Sequence, residues 1–271
     1  MTSRFRIVTW NINSVRLRIG LVERLLAELN PDILCLQEIK CRDEEFPAEA
    51  IRNAGYDHCA IHGQKAYHGV AMVSRHPFAN VSRRGFCDIP DARHIAADIE
   101  FNGRPLTVQN YYVPAGGDEP SVEKNPKFAH KLSFLEEMNA LYSADRKSRA
   151  RTILVGDLNI APLETDVWSH KQLLKVVSHT PVETEGLNRL MAEGGWVDAM
   201  RSHIPPQEQL FTWWSYRSPN WEKSNKGRRL DHVWITEDLH PALRSVNVHA
   251  EARGWEKPSD HAPVIADFEI A

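Results

Sequence analysis

Apolar residues recur along the chain at two kinds of spacing, and these spacings predict most of the secondary structure. Recurrence every three or four residues predicts helices, whereas short apolar or β-branched runs predict strands. The predicted helices cover residues 14–30, 127–144 and 185–192. The predicted strands cover residues 5–12, 32–36, 69–74, 95–101, 105–113, 152–155, 230–236 and 263–270.

Turn and stop signals delimit several of these elements. Pro31 ends the first predicted helix, because proline lacks the N–H that a continuing helix needs. Asn102 and Gly103 separate two predicted strands, and this dipeptide is the strongest short signal for a β-hairpin. The sequence has no Gly/Ser linker, no low-complexity tract and no short repeat. One α/β domain over residues 1–271 is therefore predicted.

Composition and charge restrict the functional classes. The chain is 42% hydrophobic and 25% charged, and its net charge of −3 excludes a wholly basic surface. Any nucleic acid must then be bound through a local patch. No run of about 18 apolar residues and no signal segment occurs, so we expect a soluble, cytoplasmic protein without membrane contact. The four cysteines form no C-x-x-C pair, which favours a reduced compartment.

Clusters of polar, reactive side chains follow several predicted strands. They are Asn11 with Asn13, Glu38, residues 110–112, Asp157 with Asn159, Asp231, and residues 259–261. Strand ends are where α/β proteins place their sites, because the sheet holds the backbone while the loop presents side chains. A single Asp or Asn after a strand is usually a turn residue, but six such clusters favour a functional site.

The residue types in these clusters favour chemistry on phosphate esters. The sequence has no Walker-type loop, no dinucleotide fingerprint and no G-x-S-x-G motif. Carboxylate and amide oxygens without zinc-type spacing favour Mg²⁺, with Mn²⁺ as a substitute. Phosphate-ester hydrolysis needs a metal that offsets charge, a carboxylate that activates water, and donors to the phosphate oxygens.

Aromatic and basic residues are concentrated in one late stretch. Four tryptophans fall within 22 residues: Trp213, Trp214, Trp221 and Trp234. Residues 217–229 carry five basic side chains and one acidic one, a local charge of +4. This mixture is typical of a nucleic-acid-binding surface, and it fits a solvated loop with core aromatics equally well. A second basic run, residues 146–151, is interpreted as a solvated helix end.

Five motifs occur in a fixed order along the chain. They are Thr9-Trp10-Asn11-Ile12-Asn13, Leu36-Gln37-Glu38-Ile39-Lys40, Gly156-Asp157-Leu158-Asn159-Ile160-Ala161-Pro162, Arg229-Leu230-Asp231-His232 and Lys257-Pro258-Ser259-Asp260-His261-Ala262-Pro263. With this ordered set, essentially the whole chain resembles the exonuclease III family, the Mg²⁺-dependent apurinic/apyrimidinic endonucleases of the endonuclease/exonuclease/phosphatase superfamily. Residues 62–65, 67–71 and 211–217 look like this family as well.

The resemblance implies a fold and a metal site. The fold would be a four-layer α/β sandwich, with two mixed β-sheets packed face to face and flanked by helices. Glu38 matches the family's metal ligand, and Asp260 matches a carboxylate near the metal. Asn11 matches a position that contacts the phosphate and lies beside the metal site. Mg²⁺ is the implied ion.

The resemblance also implies catalytic roles. Asp157 would activate the attacking water, with Asn159 beside it. His261 would contact the scissile phosphate, and Asp231 would hold its ring. A carboxylate on one ring nitrogen favours the imidazolium, which makes the other nitrogen a charged donor. Tyr112 would be a further phosphate contact.

Trp213, Arg228 and Leu230 would line a pocket for a base-free sugar, with Arg217 on the adjacent basic loop. In relatives the position of Arg228 is often apolar or aromatic. Its role is therefore left open between a phosphate contact, which the surrounding positive charge favours, and a part of the pocket wall. Residues 83–93 are only loosely similar to the family and are assigned no role.

The implied function is incision of DNA 5′ to abasic sites, leaving a 3′-hydroxyl, with 3′-to-5′ exonuclease and 3′-phosphodiesterase activity. The implied partner is double-stranded DNA with abasic sites or 3′ lesions, bound by a monomer at the nucleoid. Two alternatives stay open. One is a superfamily phosphodiesterase that acts on lipid or inositol phosphates. The other is a non-catalytic DNA-binding module. Such a module would be expected to lack at least one of the catalytic residues, and this sequence retains Glu38, Asp157, Asn159, Asp231 and His261.

Overall fold

The computed structural model describes residues 2–218 and 220–271, and within them it has fourteen strands and seven α-helices. The strands are β1 (Ser3–Asn11), β2 (Ile33–Gln37), β3 (His58–His62), β4 (Val70–Ser74), β5 (Phe78–Arg83), β6 (His94–Phe101), β7 (Arg104–Tyr112), β8 (Thr152–Asp157), β9 (Trp196–Asp198), β10 (Trp213–Trp214), β11 (Gly227–Arg228), β12 (Asp231–Thr236), β13 (Leu243–Val248) and β14 (Val264–Ile270). The helices are α1 (Ile19–Leu29), α2 (Ala48–Asn53), α3 (Pro126–Asp145), α4 (His170–Leu173), α5 (Pro181–Gly194), α6 (Ala199–His203) and α7 (Trp221–Ser224).

Most of the strands belong to two six-stranded sheets, and β10 and β11 form a separate ribbon. One sheet has the order β13-β14-β1-β2-β4-β3, and the other has the order β5-β6-β7-β8-β12-β9. Both sheets are mixed, because β1 runs parallel to β2 and β7 runs parallel to β8, whereas their other pairs are antiparallel.

The alternation of side chains along the central strands explains how the layers form. In β1, Ile7 contacts the core between the two sheets, whereas Val8 packs in the core that includes α1 and α2. In β8, Val155 faces between the sheets and Leu154 packs against α3 and α5. Strands that are apolar at every position are therefore covered on both faces. The fold is the expected four-layer α/β sandwich of two mixed sheets flanked by helices.

The first predicted helix is too long at its N-terminal end, since α1 begins at Ile19. Asn13 and Ser14 adopt left-handed backbone conformations, with φ of 47° and 87°. The Ser14 N–H donates to the Glu38 carbonyl (2.7 Å), and the Val15 N–H donates to the carbonyl of Ile39 (3.2 Å). These residues form a turn that is hydrogen-bonded to the loop after β2, so they cannot extend the helix. None of the helices in the described residues is long and apolar enough to span a bilayer.

The predicted strands are all present with shifted ends, and the hairpin prediction is confirmed. Asn102 and Gly103 join β6 to β7 with φ of 54° and 71°, the positive values that a tight hairpin turn requires. The sequence did not predict the two strands of the short ribbon, β10 and β11, or the strands β3, β5, β9 and β13. The last four of these are the edges of the two large sheets.

The basic run at residues 146–151 is a solvated helix end only in its first half, because Arg146 and Lys147 are exposed after α3 and the two later arginines are not. The side chain of Arg149 is 5% exposed, and its guanidinium carbon lies 4.1 Å from the ring centre of Trp196. Arg151 is also buried, and its guanidinium donates to the carbonyls of Phe101 (3.2 Å) and Pro105 (3.1 Å). Arg149 holds the end of α3 against β9, and Arg151 joins the start of β8 to the hairpin of β6 and β7. Local sequence does not reveal either role.

Candidate active site

The candidate active site lies where strands of both large sheets end at the same edge of the sandwich. Tyr112, Asp157 and Asp231 are direct neighbours in the registers of β7, β8 and β12. On the facing sheet, Asn11 ends β1 and pairs with Gln37 at the end of β2. Neighbouring strands are roughly 5 Å apart, so the backbone registers alone bring these side chains together.

Asp157 is buried, and both of its carboxylate oxygens accept hydrogen bonds. Asn11 Nδ2 donates to Oδ2 (2.9 Å), and the backbone N–H of Asn159 donates to Oδ1 (2.9 Å). Gly156, just before it, has φ of 140°, and a Cβ there would lie 2.0 Å from the carbonyl oxygen of Tyr111. Glycine is therefore required at this position, where β8 passes β7 closely and turns the carboxylate into the site.

His261 is held by Asp231. Its Nδ1 lies 2.8 Å from Asp231 Oδ2, and the hydroxyl of Thr212 donates to the same oxygen (2.6 Å). Burial lowers the pKa of His261, but the charges of Asp231 and Asp157 outweigh burial and raise the pKa to about 10. The ring is an imidazolium at neutral pH. Its Nε2 lies 3.7 Å from Asp157 Oδ2, beyond hydrogen-bond distance, so this N–H can serve a ligand.

The pKa of Asp157 is set by burial and by the same neighbours. Burial raises this pKa to about 7, with the imidazolium of His261 opposing the rise and the charge of Asp231 adding to it. A carboxylate that exchanges its proton near neutral pH is suited to accept a proton from water.

Glu38 follows β2 with φ of 50°, a left-handed conformation that is rare for a residue of this size and that occurs at functional sites. Its Oε1 accepts from Asn11 Nδ2 (2.9 Å), and its Oε2 lies 2.8 Å from Lys40 Nζ. Burial raises the pKa of Glu38, but the Lys40 charge and the Asn11 hydrogen bond outweigh burial, so the pKa is lowered. Glu38 is therefore an anion, and one amide of Asn11 links it to Asp157.

Tyr112 is a buried phenol beside these carboxylates. Burial, followed by the charges of Glu38 and Asp157, raises its pKa well above the usual value, so the phenol stays a neutral donor. The guanidinium carbon of Arg93 lies 5.1 Å from the ring centre of Tyr112, and Arg93 Nη1 donates to the Tyr112 carbonyl (3.3 Å).

A cavity of about 800 Å³ connects the catalytic and pocket candidates. It is lined by Glu38, Tyr112, Asp157, Asn159, Trp213, Arg217, Arg228, Leu230, Asp260 and His261. The Asp260 carboxylate accepts from Trp213 Nε1 (2.9 Å) and from Asn13 Nδ2 (3.1 Å). Asn11 and Asp231, which are not in the lining, are buried and contact residues that are.

Three residues that contact the site were assigned no role from the sequence: Thr212, Lys40 and Arg93. Thr212 and Lys40 lie inside stretches that carry the family resemblance, so a signal was present. Arg93 ends the segment 83–93, which carries no motif, and it reaches Tyr112 only because β6 pairs with β7.

The four tryptophans of the late stretch do not form one stacking surface. Trp214 and Trp234 are core residues, with 5% and 1% of their surface exposed. The ring of Trp221 packs 5.1 Å from the ring of Trp214, centre to centre. Of these four rings, Trp213 is the one in the cavity lining.

Two groups of side chains could hold a metal ion. Asp157, Asp231 and His261 offer ligand atoms that lie within 4.8 Å of one another. An imidazolium has no free lone pair for a metal, so this group is better suited to proton transfer. Glu38 and Asp260 line the open cavity with oxygen donors, and Lys40 already places a positive charge against Glu38. Hard oxygen ligands with room for water fit Mg²⁺.

Comparison with known sequences supports one family. The model of the endonuclease/exonuclease/phosphatase family matches residues 8–261. The chain is 34% identical to exodeoxyribonuclease III of Haemophilus influenzae, over 97% of this chain and 100% of that protein. It is also 28% identical to a DNA repair nuclease of Danio rerio, over 97% of this chain and 81% of that protein.

Solved structures agree with the sequences. A Neisseria 3′ phosphatase bound to a product DNA hairpin superposes with a TM-score of 0.89 at 34% identity, covering 98% of this chain and 99% of that one. An AP endonuclease from Archaeoglobus fulgidus superposes with a TM-score of 0.87 at 33% identity, covering 98% and 100%. The chain therefore belongs to the endonuclease/exonuclease/phosphatase family and, within it, to the exodeoxyribonuclease III branch.

Proposed function

We propose that this protein is a Mg²⁺-dependent DNA-repair phosphodiesterase that cuts the backbone 5′ to abasic sites and leaves a 3′-hydroxyl. We further propose 3′-to-5′ exonuclease and 3′-phosphodiesterase activity at the same site. The observation that carries the proposal is a buried carboxylate, Asp157, beside an imidazolium, His261, in one cavity with Glu38. The names of the relatives, a DNA repair nuclease and an exodeoxyribonuclease III, agree with it.

Asp157 accepts the proton of the attacking water in the proposed reaction. The bonds from Asn11 and Asn159 hold its carboxylate in place, so that little reorganisation is needed when the proton arrives. Its pKa of about 7 allows it to be ionised in part before reaction and to keep the proton afterwards.

His261 stabilises the charge on the phosphoryl group. Asp231 fixes the ring orientation through Nδ1, which leaves the Nε2–H as a charged donor to a phosphoryl oxygen. Tyr112 supplies a neutral phenol, a donor that approaches the phosphate without adding negative charge. Asn11 acts differently, because both N–H groups of its amide already position the Glu38 and Asp157 carboxylates.

Glu38, with Asp260 nearby, would hold the Mg²⁺ ion, which supplies charge neutralisation at the phosphate when bound. The carboxylates of Glu38 and Asp260 would repel a phosphate close to them, although Arg217, Lys226 and Arg228 give other parts of the cavity a positive charge. A divalent cation held by Glu38 and Asp260 would offset this repulsion.

The substrate would be double-stranded DNA bound by a monomer in the cytoplasm, at the nucleoid. Trp213, Arg228 and Leu230 would form the wall that meets the abasic sugar, and exposed Arg217 would contact the backbone. An abasic nucleotide has no base pair or stack to break, so its extrusion into a cavity costs less than extrusion of an intact nucleotide.

A product assay tests the proposal. End-labelled duplexes carrying an internal abasic site, a recessed 3′ end or a 3′-phosphate are compared at one enzyme concentration with Mg²⁺. We expect incision 5′ to the abasic site, with a product that a polymerase can extend. Turnover of inositol or lipid phosphates with no turnover of DNA would replace this function with the superfamily alternative.

A further inference from the structure

Arg228 lies in the wall of the cavity that also contains Asp157 and His261. Its Nη1 donates to the Val177 carbonyl (3.1 Å) and to Ser178 Oγ (2.8 Å). Its guanidinium carbon lies 5.3 Å from the ring centre of Trp213. These three contacts fix the direction of a long side chain that would otherwise be free to leave the cavity for solvent.

Arg228 has no carboxylate of its own, because Glu183, whose charge opposes the effect of burial on the pKa of Arg228, is paired with the buried Lys131 (2.5 Å). The adjacent Arg229 pairs with Asp166 (3.0 Å) and Asp198 (2.6 Å), whereas no carboxylate of the described residues lies within ion-pair distance of Arg228. The Nε of Arg228 is buried without a hydrogen-bond partner among the described residues. Burial also lowers the pKa of Arg228, which reflects the cost of a cation in this position. An anion in the cavity would offset the charge of the guanidinium, although not through the buried Nε.

The backbone places this cation in line with the catalytic histidine. Trp213 pairs with Arg228 in the ribbon of β10 and β11, and on its other side Trp213 forms an isolated bridge with His261. Directly paired residues on adjacent strands point to the same face. Arg228, Trp213 and His261 therefore stand side by side over the cavity, with the outer two backbones roughly 10 Å apart.

We propose that Arg228 makes this site select 3′-terminal phosphate monoesters over internal abasic phosphodiesters, by binding the free terminal oxygen of a 3′-phosphate. The proposal rests on the proposed function, because it assumes that the scissile phosphate lies at Asp157 and His261. It assigns Arg228 as the residue that sets the balance between the 3′-terminal and the internal activities already proposed.

The difference between the two substrates lies at the phosphate substituent that faces the pocket. In an internal phosphodiester, that oxygen continues to the abasic sugar, and the group carries one negative charge. In a terminal monoester the oxygen is free, and the group carries a charge of about −1.5 to −2 at neutral pH. A guanidinium pairs with such oxygens through charge-assisted hydrogen bonds, whereas the same bulky cation narrows the space for a neutral sugar.

The covalent step is the same hydrolysis for both substrates. The oxygen of water bonds to phosphorus, and the bond between phosphorus and the 3′ oxygen breaks. The 3′ oxygen keeps the electron pair and takes up a proton, giving a 3′-hydroxyl. With a 3′-phosphate the second product is inorganic phosphate, which is itself an anion that Arg228 can bind.

The test compares kcat/KM for two hairpin duplexes, one with a 3′-phosphate and one with an internal abasic analogue. We expect Arg228→Ala to lower the ratio of phosphate release to abasic incision at least tenfold, and Arg228→Lys to keep part of the preference. Ser178→Ala, which removes one anchor and leaves the charge, should lower the ratio by a smaller factor. Arg244→Ala, which removes an exposed arginine paired with Glu269, should leave the ratio unchanged.

A second readout is inhibition of abasic incision by inorganic phosphate. We expect the inhibition constant to rise at least tenfold in Arg228→Ala, and this does not depend on phosphatase turnover. An unchanged ratio together with unchanged phosphate inhibition, in a variant that folds as judged by circular dichroism, would overturn the proposal. If the wild type cuts none of the DNA substrates, it is the proposed function that fails.

Discussion

At the scale of single residues, the proposed reaction depends most on Asp157, which accepts the proton of the attacking water. Asp157→Asn keeps the shape of the side chain but removes the base. We expect single-turnover incision to fall by at least about 10²-fold, the usual scale for a positioned base. DNA affinity should hold or rise, since a negative charge near the phosphate is lost. Measuring the single-turnover rate and the DNA affinity on the same duplex tests both expectations. A rate near that of the wild type would mean that another group acts as the base.

Glu38 is the residue whose loss should change the dependence of activity on Mg²⁺ most. Its carboxylate lines the cavity and already faces the Lys40 ammonium (2.8 Å). We expect Glu38→Ala to lose most activity at low Mg²⁺ and to recover in part at high Mg²⁺, because only one ligand is removed. Titration of activity with Mg²⁺ and Mn²⁺ measures this, with chelator as the reference. Full activity in excess chelator would contradict the metal assignment.

Asp231 and His261 should behave as one unit, because Asp231 reaches the phosphate only through the ring it holds. The losses caused by Asp231→Ala and His261→Ala should therefore be strongly non-additive. The double variant should be little slower than the slower single variant. Single-turnover rates of all four proteins test this, and losses that multiply would mean that the two residues act separately.

At the scale of elements, the position of Asp157 depends on the close pairing of β8 with β7, where Gly156 lies opposite Tyr111. Gly156→Ala would place a Cβ 2.0 Å from the Tyr111 carbonyl oxygen at φ of 140°. We expect a loss of roughly 3 kcal/mol or more in the free energy of unfolding, from strain and overpacking.

The matched control is Gly20→Ala in α1, where no atom lies within 4 Å of an added Cβ. This change should be neutral or stabilising by up to about 1 kcal/mol, because alanine favours helix. Denaturant unfolding of both variants provides the comparison. Equal stabilities would show that β8 can move away from β7.

Element prediction from the sequence succeeded for the central strands and failed for the edges. Central strands such as β2 and β8 are buried at every position, so each appears as an apolar run. The edge strand β5 is exposed at nearly every position and has no such run. This segment is a strand because it pairs with β6, and local sequence does not show that pairing.

At the scale of the whole molecule, buried neutral histidines make the free energy of unfolding depend on pH. Burial lowers the pKa of His94 and of His232 to about 4, and His232 Nε2–H donates to the Ile160 carbonyl (2.8 Å). In the unfolded chain these rings take up a proton near pH 6.5. Their contribution to stability is therefore full above pH 6.5 and is lost as the pH falls towards 4.

We expect each ring to cost on the order of 2 kcal/mol of folding stability between pH 7 and pH 5. His232→Gln, which keeps a donor for Ile160, should flatten the dependence of unfolding free energy on pH relative to wild type. The difference between the two curves isolates this ring, since other groups titrate in the same range. The exposed His240→Gln is the control, and parallel curves for His232→Gln and wild type would contradict the assignment.

The sequence alone determined the fold class, the central strands and the candidate residues, because each leaves a local mark. Burial on both faces produces apolar runs, and chemistry at strand ends produces polar clusters such as Asp157 with Asn159. Tertiary structure decided what depends on distant partners. It buried Arg149 against Trp196, brought Arg93 to Tyr112, and left Arg228 beside Trp213 with no carboxylate at ion-pair distance among the described residues. The electrostatic state of a side chain depends on the groups that surround it in space, and for these arginines those groups come from other strands and helices.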